Sequence, residues 1–139
     1  MKIAIINGPN LNLLGTRETD VYGNDSFEVY LNELQRKYPQ VAFSYYQSNV
    51  EGELVNEIQK QGFSSDGIIL NPAAYTHTSV ALGDAIAAVK TKVIEVHISN
   101  TYARESFRHI SHVSAKCAGT ITGLGLKGYE LALRWLMEQ

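Results

Sequence analysis

The feature that most constrains the fold of this chain is the alternation of two kinds of hydrophobic pattern. Five short apolar runs are predicted as strands, at residues 2–7, 41–48, 66–70, 92–99 and 118–124. The segments between them place apolar residues three or four positions apart, which is the period of an amphipathic helix. Strands that alternate with helices in this way form a parallel sheet covered on both faces.

Four helices are predicted from their apolar faces, which are formed by Phe27, Tyr30, Leu31 and Leu34; by Leu54, Val55 and Ile58; by Leu82, Ala85, Ile86 and Val89; and by Tyr129, Ala132, Leu133 and Leu136. Asp25 and Ser26 are suited to cap the first helix, and Thr78 or Ser79 the third. Gly62 is expected to end the second helix.

The length of 139 residues predicts one domain, residues 1–139, with a single sheet. For five strands the expected architecture is a flavodoxin-like α/β three-layer sandwich with strand order 2-1-3-4-5. Right-handed crossovers then place strands 1, 3 and 4 in the centre. Ligands bind such sheets at the carboxyl ends of the strands, so the residues after Asn7, Leu70 and His97 are the candidates for a site.

Composition excludes several classes of function. The net charge of -2, with 12 Lys and Arg residues scattered along the chain, argues against a nucleic-acid partner. No run approaches the roughly 20 apolar residues that span a membrane, and we expect no membrane association. A single cysteine, Cys117, forms no intrachain disulfide, and the first apolar run is too short for a signal peptide. A cytoplasmic location is therefore expected.

Strand 4 carries polar residues where a central strand should be apolar. Glu95, His97 and Ser99 alternate onto one face of the strand, and Ile94 and Val96 onto the other. An unpaired buried carboxylate or imidazole would be costly, so Glu95 is expected to accept a hydrogen bond from His97 and fix its tautomer. The alternative is an edge strand with one solvated face.

Two connections also carry unusual polar residues. The connection after strand 1 is longer than an ordinary βα loop, and we expect its segment from Leu11 to Gly23 to act as a lid. It holds Arg17 and Tyr22. On spacing alone, the favoured interpretation of Tyr22 is a loop tyrosine that covers apolar surface. His77, after strand 3, could likewise be an exposed residue near a helix start. His109 and His112 are interpreted as ordinary loop histidines, and no metal site is expected.

Seven segments together resemble the type II 3-dehydroquinate dehydratases over essentially the whole chain: NGPNLNLLGTRE (7–18), YG (22–23), NPAAYTHTS (71–79), EVHISN (95–100), ARESFR (103–108), GTITGLG (119–125) and GY (128–129). The resemblance implies dehydration of 3-dehydroquinate to 3-dehydroshikimate by anti elimination through an enolate, without cofactor or metal. It also implies a homododecamer built of trimers.

The resemblance assigns roles to particular residues. Tyr22 removes the proton next to the ketone, and Arg17 beside it favours the phenolate. His97 protonates the leaving hydroxyl, while Asn10 stabilises the enolate through a water. The residues implied in substrate binding are Asn71, His77, Asp84, the Ile98 and Ser99 amides, and Arg108, with Asp84 reaching the site of a neighbouring subunit.

Two positions depart from the pattern of that family. Ala73 stands where glycine is common, and Gly83 stands where an arginine commonly precedes Asp84. A glycine inside a helix costs about 1 kcal/mol relative to alanine, so Gly83 is expected to weaken its helix.

The competing function is a flavodoxin-like binding module for a small anionic ligand. However, Pro9 lacks the N–H that a phosphate loop would use, and no acidic cluster follows strand 1. A hydrolase is excluded because no serine lies in a Gly-x-Ser-x-Gly segment.

Overall fold

Five parallel strands form one sheet in the computed structural model, which describes residues 1–16 and 26–139. The strands are β1 (Lys2–Asn7), β2 (Ala42–Gln47), β3 (Gly67–Asn71), β4 (Val93–His97) and β5 (Gly119–Thr122). Their order is β2-β1-β3-β4-β5, and every neighbouring pair is parallel. The predicted order 2-1-3-4-5 and the flavodoxin-like fold class are confirmed. Strand 4 is therefore central, and the edge-strand alternative is wrong.

Helices cover both faces of this sheet. In the described residues they are α1 (Phe27–Lys37), α2 (Glu51–Gln61), α3 (Val80–Ala88) and α4 (Lys127–Met137). The side chain of Ser26 caps α1 by accepting a hydrogen bond from the Val29 amide, and Ser79 caps α3 in the same way. Gly62 ends α2 as predicted. Val89 was predicted inside the third helix but has left it, since its ψ of 162° is extended.

The hydrophobic core is divided by the sheet into two layers. One layer packs Ile3, Ile5, Ile69, Ile94 and Val96 against α1 and α4. The other packs alternate residues of the same strands against α2 and α3, through Leu54, Ile58 and Leu82. Complete burial of an aliphatic side chain of this size stabilises a fold by about 1.5–3 kcal/mol, so these two layers supply the main driving force for folding. No helix in the described parts of the chain is long and apolar enough to cross a membrane.

The ends of β1, β3 and β4 meet at one edge of the sheet. Asn7 and Asn71, the last residues of β1 and β3, are register partners. Just beyond them, the Gly8 amide donates to the Asn71 carbonyl at 2.8 Å. A Cβ atom at Gly8 would lie 2.6 Å from the Pro72 carbonyl oxygen, so glycine is what lets these two connections touch. The connections that follow β1, β3 and β4 therefore surround one pocket.

Candidate active site

A pocket of about 150 Å³ lies at the carboxyl edge of the sheet. Its lining is formed by Pro9, Asn10, Leu11, Leu13, Leu14, Asn71, Ala73, Ala74, His77, His97, Ile98, Ser99, Thr101, Arg104 and Arg108. The pocket therefore lies where parallel α/β sheets bind ligands. Seven of the residues proposed from the sequence line it, namely Asn10, Asn71, His77, His97, Ile98, Ser99 and Arg108.

Glu95 and His97 form a buried pair within β4. Glu95 is 0% exposed and His97 is 7% exposed, although each carries a polar side chain. The Nε2 atom of His97 lies 2.5 Å from Oε2 of Glu95. An ionised carboxylate only accepts, so Nε2 carries a proton and Nδ1 is the ring nitrogen available to the pocket. The predicted contact between these two side chains is present.

Burial by itself raises the pKa of Glu95, but hydrogen bonds from His97, Ser114 and Thr76 outweigh that effect and hold it below its usual value. The Thr76 hydroxyl donates to Oε2 at 3.0 Å. Ser114 donates to Oε1, and Thr120 approaches the same oxygen at 3.4 Å. Glu95 is consequently ionised at neutral pH even though it lies inside the sheet.

His77 faces His97 across the pocket, with ring centroids 6.4 Å apart and planes 23° from parallel. Its Nδ1 lies 2.7 Å from the Ile110 carbonyl oxygen, so Nδ1 donates and Nε2 is available as an acceptor or donor to a ligand. Desolvation lowers the pKa of His77, and the charges of His97 and Arg108 lower it further. A neutral His77 beside a protonatable His97 suits hydroxyl binding better than a second cation.

Two arginines supply positive charge at the pocket wall. The Nε of Arg108 is held at 2.5 Å by the Glu105 carboxylate, and its guanidinium lies 5.1 Å from the Phe107 ring centre. The terminal nitrogens of Arg108 can then pair with a carboxylate of a ligand. Arg104, which was not predicted from the sequence as a site residue, donates from Nη1 to the Ser99 hydroxyl at 3.2 Å. Its presence in the ARESFR segment was the signal that could have identified it.

Asn71 is oriented by neighbours on both sides. Its Oδ1 accepts from the Ala73 amide at 3.0 Å, and its Nδ2 donates to the Tyr129 hydroxyl at 3.0 Å. Tyr129 in turn donates to Oδ1 of Asn7 at 2.8 Å. Burial raises the pKa of Tyr129 far above its usual value, so it remains a neutral donor. The second N–H of Asn71 and the second lone pair of its oxygen are left for the pocket.

Backbone conformation is unusual at two pocket positions. Asn10 has φ 70° and Ala73 has φ 53°, both in the left-handed region. Asparagine tolerates this conformation, whereas alanine pays about 1–2 kcal/mol for it. The glycine common at this position in the resembled family therefore has a physical reason.

The remaining predicted residues have different outcomes. Arg17 and Tyr22 lie outside the described residues. Asp84 is exposed on α3 and does not line the pocket of its own chain. The expectation that alanine would suit position 83 better is wrong, because a Cβ on Gly83 would lie 2.4 Å from the His112 carbonyl oxygen. Within residues 1–16 and 26–139, no group of three or more His, Cys, Asp or Glu residues is arranged to hold a metal ion.

A flavodoxin-like sheet whose carboxyl edge holds a buried carboxylate–imidazole pair and two arginines defines an α/β enzyme site for acid–base chemistry on an anionic substrate. Residues 1–137 match the family model described as dehydroquinase class II. The chain belongs to this family.

Individual relatives are similar over nearly their whole length. The 3-dehydroquinate dehydratase of an Exiguobacterium species is 51% identical, covering 99% of this chain and 95% of the relative. The type II dehydroquinase of Butyrivibrio crossotus superposes with a TM-score of 0.94 at 50% identity, covering 99% of this chain and 97% of that one. A 3-dehydroquinate dehydratase-like protein from Bifidobacterium longum is more distant, with a TM-score of 0.71 at 29% identity, and covers 100% and 99% of the two chains. These relatives do not favour a binding module.

Proposed function

We propose that this protein is a hydro-lyase that converts 3-dehydroquinate to 3-dehydroshikimate, a step of the shikimate pathway to the aromatic amino acids. The observation that carries the proposal is the Glu95–His97 pair, buried in a central strand and opening onto a pocket with arginines on its wall. The reaction needs a base, a stabiliser of the enolate and an acid for the leaving hydroxyl.

His97 serves as the acid. With Nε2–H held on Glu95, a protonated His97 offers its second proton from Nδ1 to the pocket. That proton goes to the departing hydroxyl, which leaves as water while the electrons of the enolate form the new carbon–carbon double bond. Glu95 stabilises the imidazolium before transfer and keeps the neutral ring in one tautomer afterwards.

The substrate is held by groups that surround this acid. Arg108 pairs with the carboxylate, since its Nε is already fixed by Glu105 and its terminal nitrogens can then form a bidentate contact. Asn71 and His77 bind ring hydroxyls. The amides of Ile98 and Ser99 also bind substrate, and the carbonyls of these residues are fixed by the Gly125 amide and the Thr122 hydroxyl.

Tyr22 is proposed as the base, with Arg17 beside it and Asn10 stabilising the enolate through a water. Leu11, Leu13 and Leu14 line the pocket, so the segment that leads to Arg17 starts at the pocket wall. A tyrosine with a pKa of about 10 is only about 0.1% ionised at neutral pH, a deficit of roughly 4 kcal/mol. A neighbouring guanidinium reduces that deficit by stabilising the phenolate.

We further propose a single catalytic domain, residues 1–139, that assembles as a cytoplasmic homododecamer of four trimers. In this assembly Asp84 enters the site of a neighbouring subunit, which agrees with its exposure on α3 outside its own pocket. The exposed side chains of Tyr102, Phe107 and Ile110 add apolar surface near the carboxyl edge of the sheet, where the pocket lies. Light scattering that gives a mass near 15.4 kDa at assay concentration would contradict the assembly.

The activity is tested by mixing the protein with 3-dehydroquinate and following the conjugated enone product by ultraviolet absorbance. The proposal expects catalysed formation of 3-dehydroshikimate, with a rate that falls by about 10²- to 10⁴-fold in His97→Ala. Borohydride added with substrate should leave no substrate mass on the protein, since the elimination passes through an enolate rather than a lysine imine. No turnover by the folded protein would overturn the proposed function.

A further inference from the structure

Glu95 depends for its own position on the segment formed by residues 110–114, which no part of the proposed function uses. This segment contacts three parts of the site. The Ile110 carbonyl accepts from His77, and the His112 amide donates to the Thr76 carbonyl at 2.8 Å. Ser114 donates to the carboxylate of Glu95. One short loop therefore touches both histidines, either directly or through one intermediate residue.

The hydroxyls of this segment form a directed chain. Glu95 is ionised and only accepts, so the single hydroxyl proton of Ser114 goes to the carboxylate. The Ser114 and Ser111 oxygens lie 2.8 Å apart, and Ser111 must then be the donor of that pair. The Ser111 oxygen accepts in turn from the amides of Val113 and Ser114, at 3.2 and 2.9 Å. Successive donors of this kind polarise one another and strengthen the last bond.

The 110–114 segment is itself fixed against α3. A Cβ at Gly83 would lie 2.4 Å from the His112 carbonyl oxygen, so only glycine permits this approach with the backbone where it is. Val113 is fully buried in the core layer beside Leu82 and Ile86. The segment is thus positioned by packing and needs no ligand to place Ser114.

We propose that Ser114 is a positioning residue for the general acid, which acts by holding Glu95 ionised and in line with Nε2 of His97. This inference rests on the proposed function, because it assigns Ser114 a part in the same proton transfer. Without the Ser114 donor, one oxygen of Glu95 loses its closest partner, and the carboxylate can rotate away from the imidazole. The imidazolium of His97 would then lose an aligned carboxylate, and the neutral ring would exchange between its two tautomers.

The pH dependence has a defined direction. Among the described residues, three titratable or charged groups interact electrostatically with the Glu95–His97 pair. His77, in the 3-10 turn Ala73–His77, interacts with both members, and Cys117 interacts with Glu95. Arg108 acts indirectly, because its charge lowers the pKa of His77. Burial raises the pKa of Cys117 to about 12, so the thiol stays neutral and does not titrate near neutral pH. Burial favours protonated Glu95, so the loss of one donor raises its pKa. The kcat of the variant relative to that of the parent should therefore fall as the pH is lowered toward the pKa of Glu95.

The first test compares Ser114→Ala with Ser114→Thr, which keeps a hydroxyl, and with Ser64→Ala, an exposed serine at the opposite edge of the sheet. We expect kcat of Ser114→Ala to fall about tenfold, the loss expected for one hydrogen bond to a charged group, with KM within about twofold. The ratio of variant to parent kcat should fall further at low pH for Ser114→Ala and stay constant for the other two. A kcat of folded Ser114→Ala that equals that of the parent, or that is lowered by the same factor at every pH, would overturn the proposal.

The second test needs no substrate and separates this inference from the proposed function. Nitrogen NMR of protein labelled at its four histidines reports the tautomer of His97, whose signals are assigned by their loss in His97→Ala. The parent should show Nε2 protonated, and Ser114→Ala should show both nitrogens shifted toward an average. If Ser114→Ala does not fold, Ser111→Ala should give a smaller shift in the same direction. Identical spectra for folded variant and parent contradict the proposal, whether or not the protein turns over 3-dehydroquinate.

Discussion

Two buried carboxylates in this molecule are stabilised in opposite ways. Glu130, on α4, is 5% exposed and is surrounded by Lys37, Lys127 and Arg134 at 2.6, 2.7 and 3.7 Å. Glu95 is 0% exposed and is held by hydroxyls and one imidazole. Permanent cations neutralise the charge of Glu130, whereas the ionisable partner of Glu95 is an imidazole, which can gain and lose a proton. The first arrangement is suited to stability, and the second is suited to the proton transfer that we propose.

The largest expected effect is that of removing the titrating partner of Glu95. His97→Ala should lower kcat by about 10²- to 10⁴-fold, the usual contribution of a general acid. In that background, Glu95→Gln should cost little more, because the two residues act as one unit. Steady-state kinetics of the single and double variants measure this, with exposed His109→Ala as the control that keeps its rate. Additive losses would mean that Glu95 acts apart from His97.

Arg17 and Tyr22 extend the comparison, since here a permanent cation is proposed to act on a catalytic group. If the guanidinium supplies roughly two pKa units, Arg17→Gln lowers the rate at neutral pH by about a hundredfold. That loss should shrink toward pH 10, where an unassisted tyrosine ionises. Tyr22→Phe should abolish turnover at every pH while product still binds. Parallel pH–rate profiles for Arg17→Gln and the parent would restrict Arg17 to substrate positioning.

The stabilisation that the cations around Glu130 provide should be measurable in the pH dependence of unfolding. Hydrogen bonds from Lys127 and Lys37 lower the pKa of Glu130 to about 2, below the ordinary 4.5 of an unfolded chain. This stabilisation is complete above pH 4.5 and is lost as the pH falls through 2. Because the lysines are half exposed, we expect only about 1 kcal/mol. When urea unfolding is measured between pH 2 and pH 4.5, the free energy of unfolding should depend less on pH in Glu130→Gln than in the parent.

The smallest expected effect concerns Ala73, on the wall of the pocket. Ala73→Gly removes the strain of a left-handed alanine but adds freedom to the unfolded chain, so stability should rise by no more than about 1 kcal/mol. Thermal unfolding measures the change. A clear loss of stability would show that the methyl group packs usefully where the backbone is strained.

The sequence predicted the strand order and the Glu95–His97 contact because both follow from periodicity. A polar residue at alternate positions of a central strand needs a partner, and the neighbour two residues along is the nearest one. Ser114 could not be predicted, since it reaches Glu95 from an irregular loop 19 residues away. The contact between Gly83 and His112 is equally invisible in the sequence. Loops have no hydrophobic periodicity, and their packing depends on contacts with distant segments of the chain. A local sequence pattern does not reveal those contacts.

The most direct test of the different roles of the two carboxylates is to make the same substitution in both and to measure kcat for each. Glu95→Gln should lower kcat by about a hundredfold, within the range for acid–base catalysis, because the amide cannot stabilise an imidazolium. Glu130→Gln should keep kcat within about twofold and lose stability instead. If Glu95→Gln retains the parent kcat, or if both substitutions lower it alike, Glu95 does not serve the general acid.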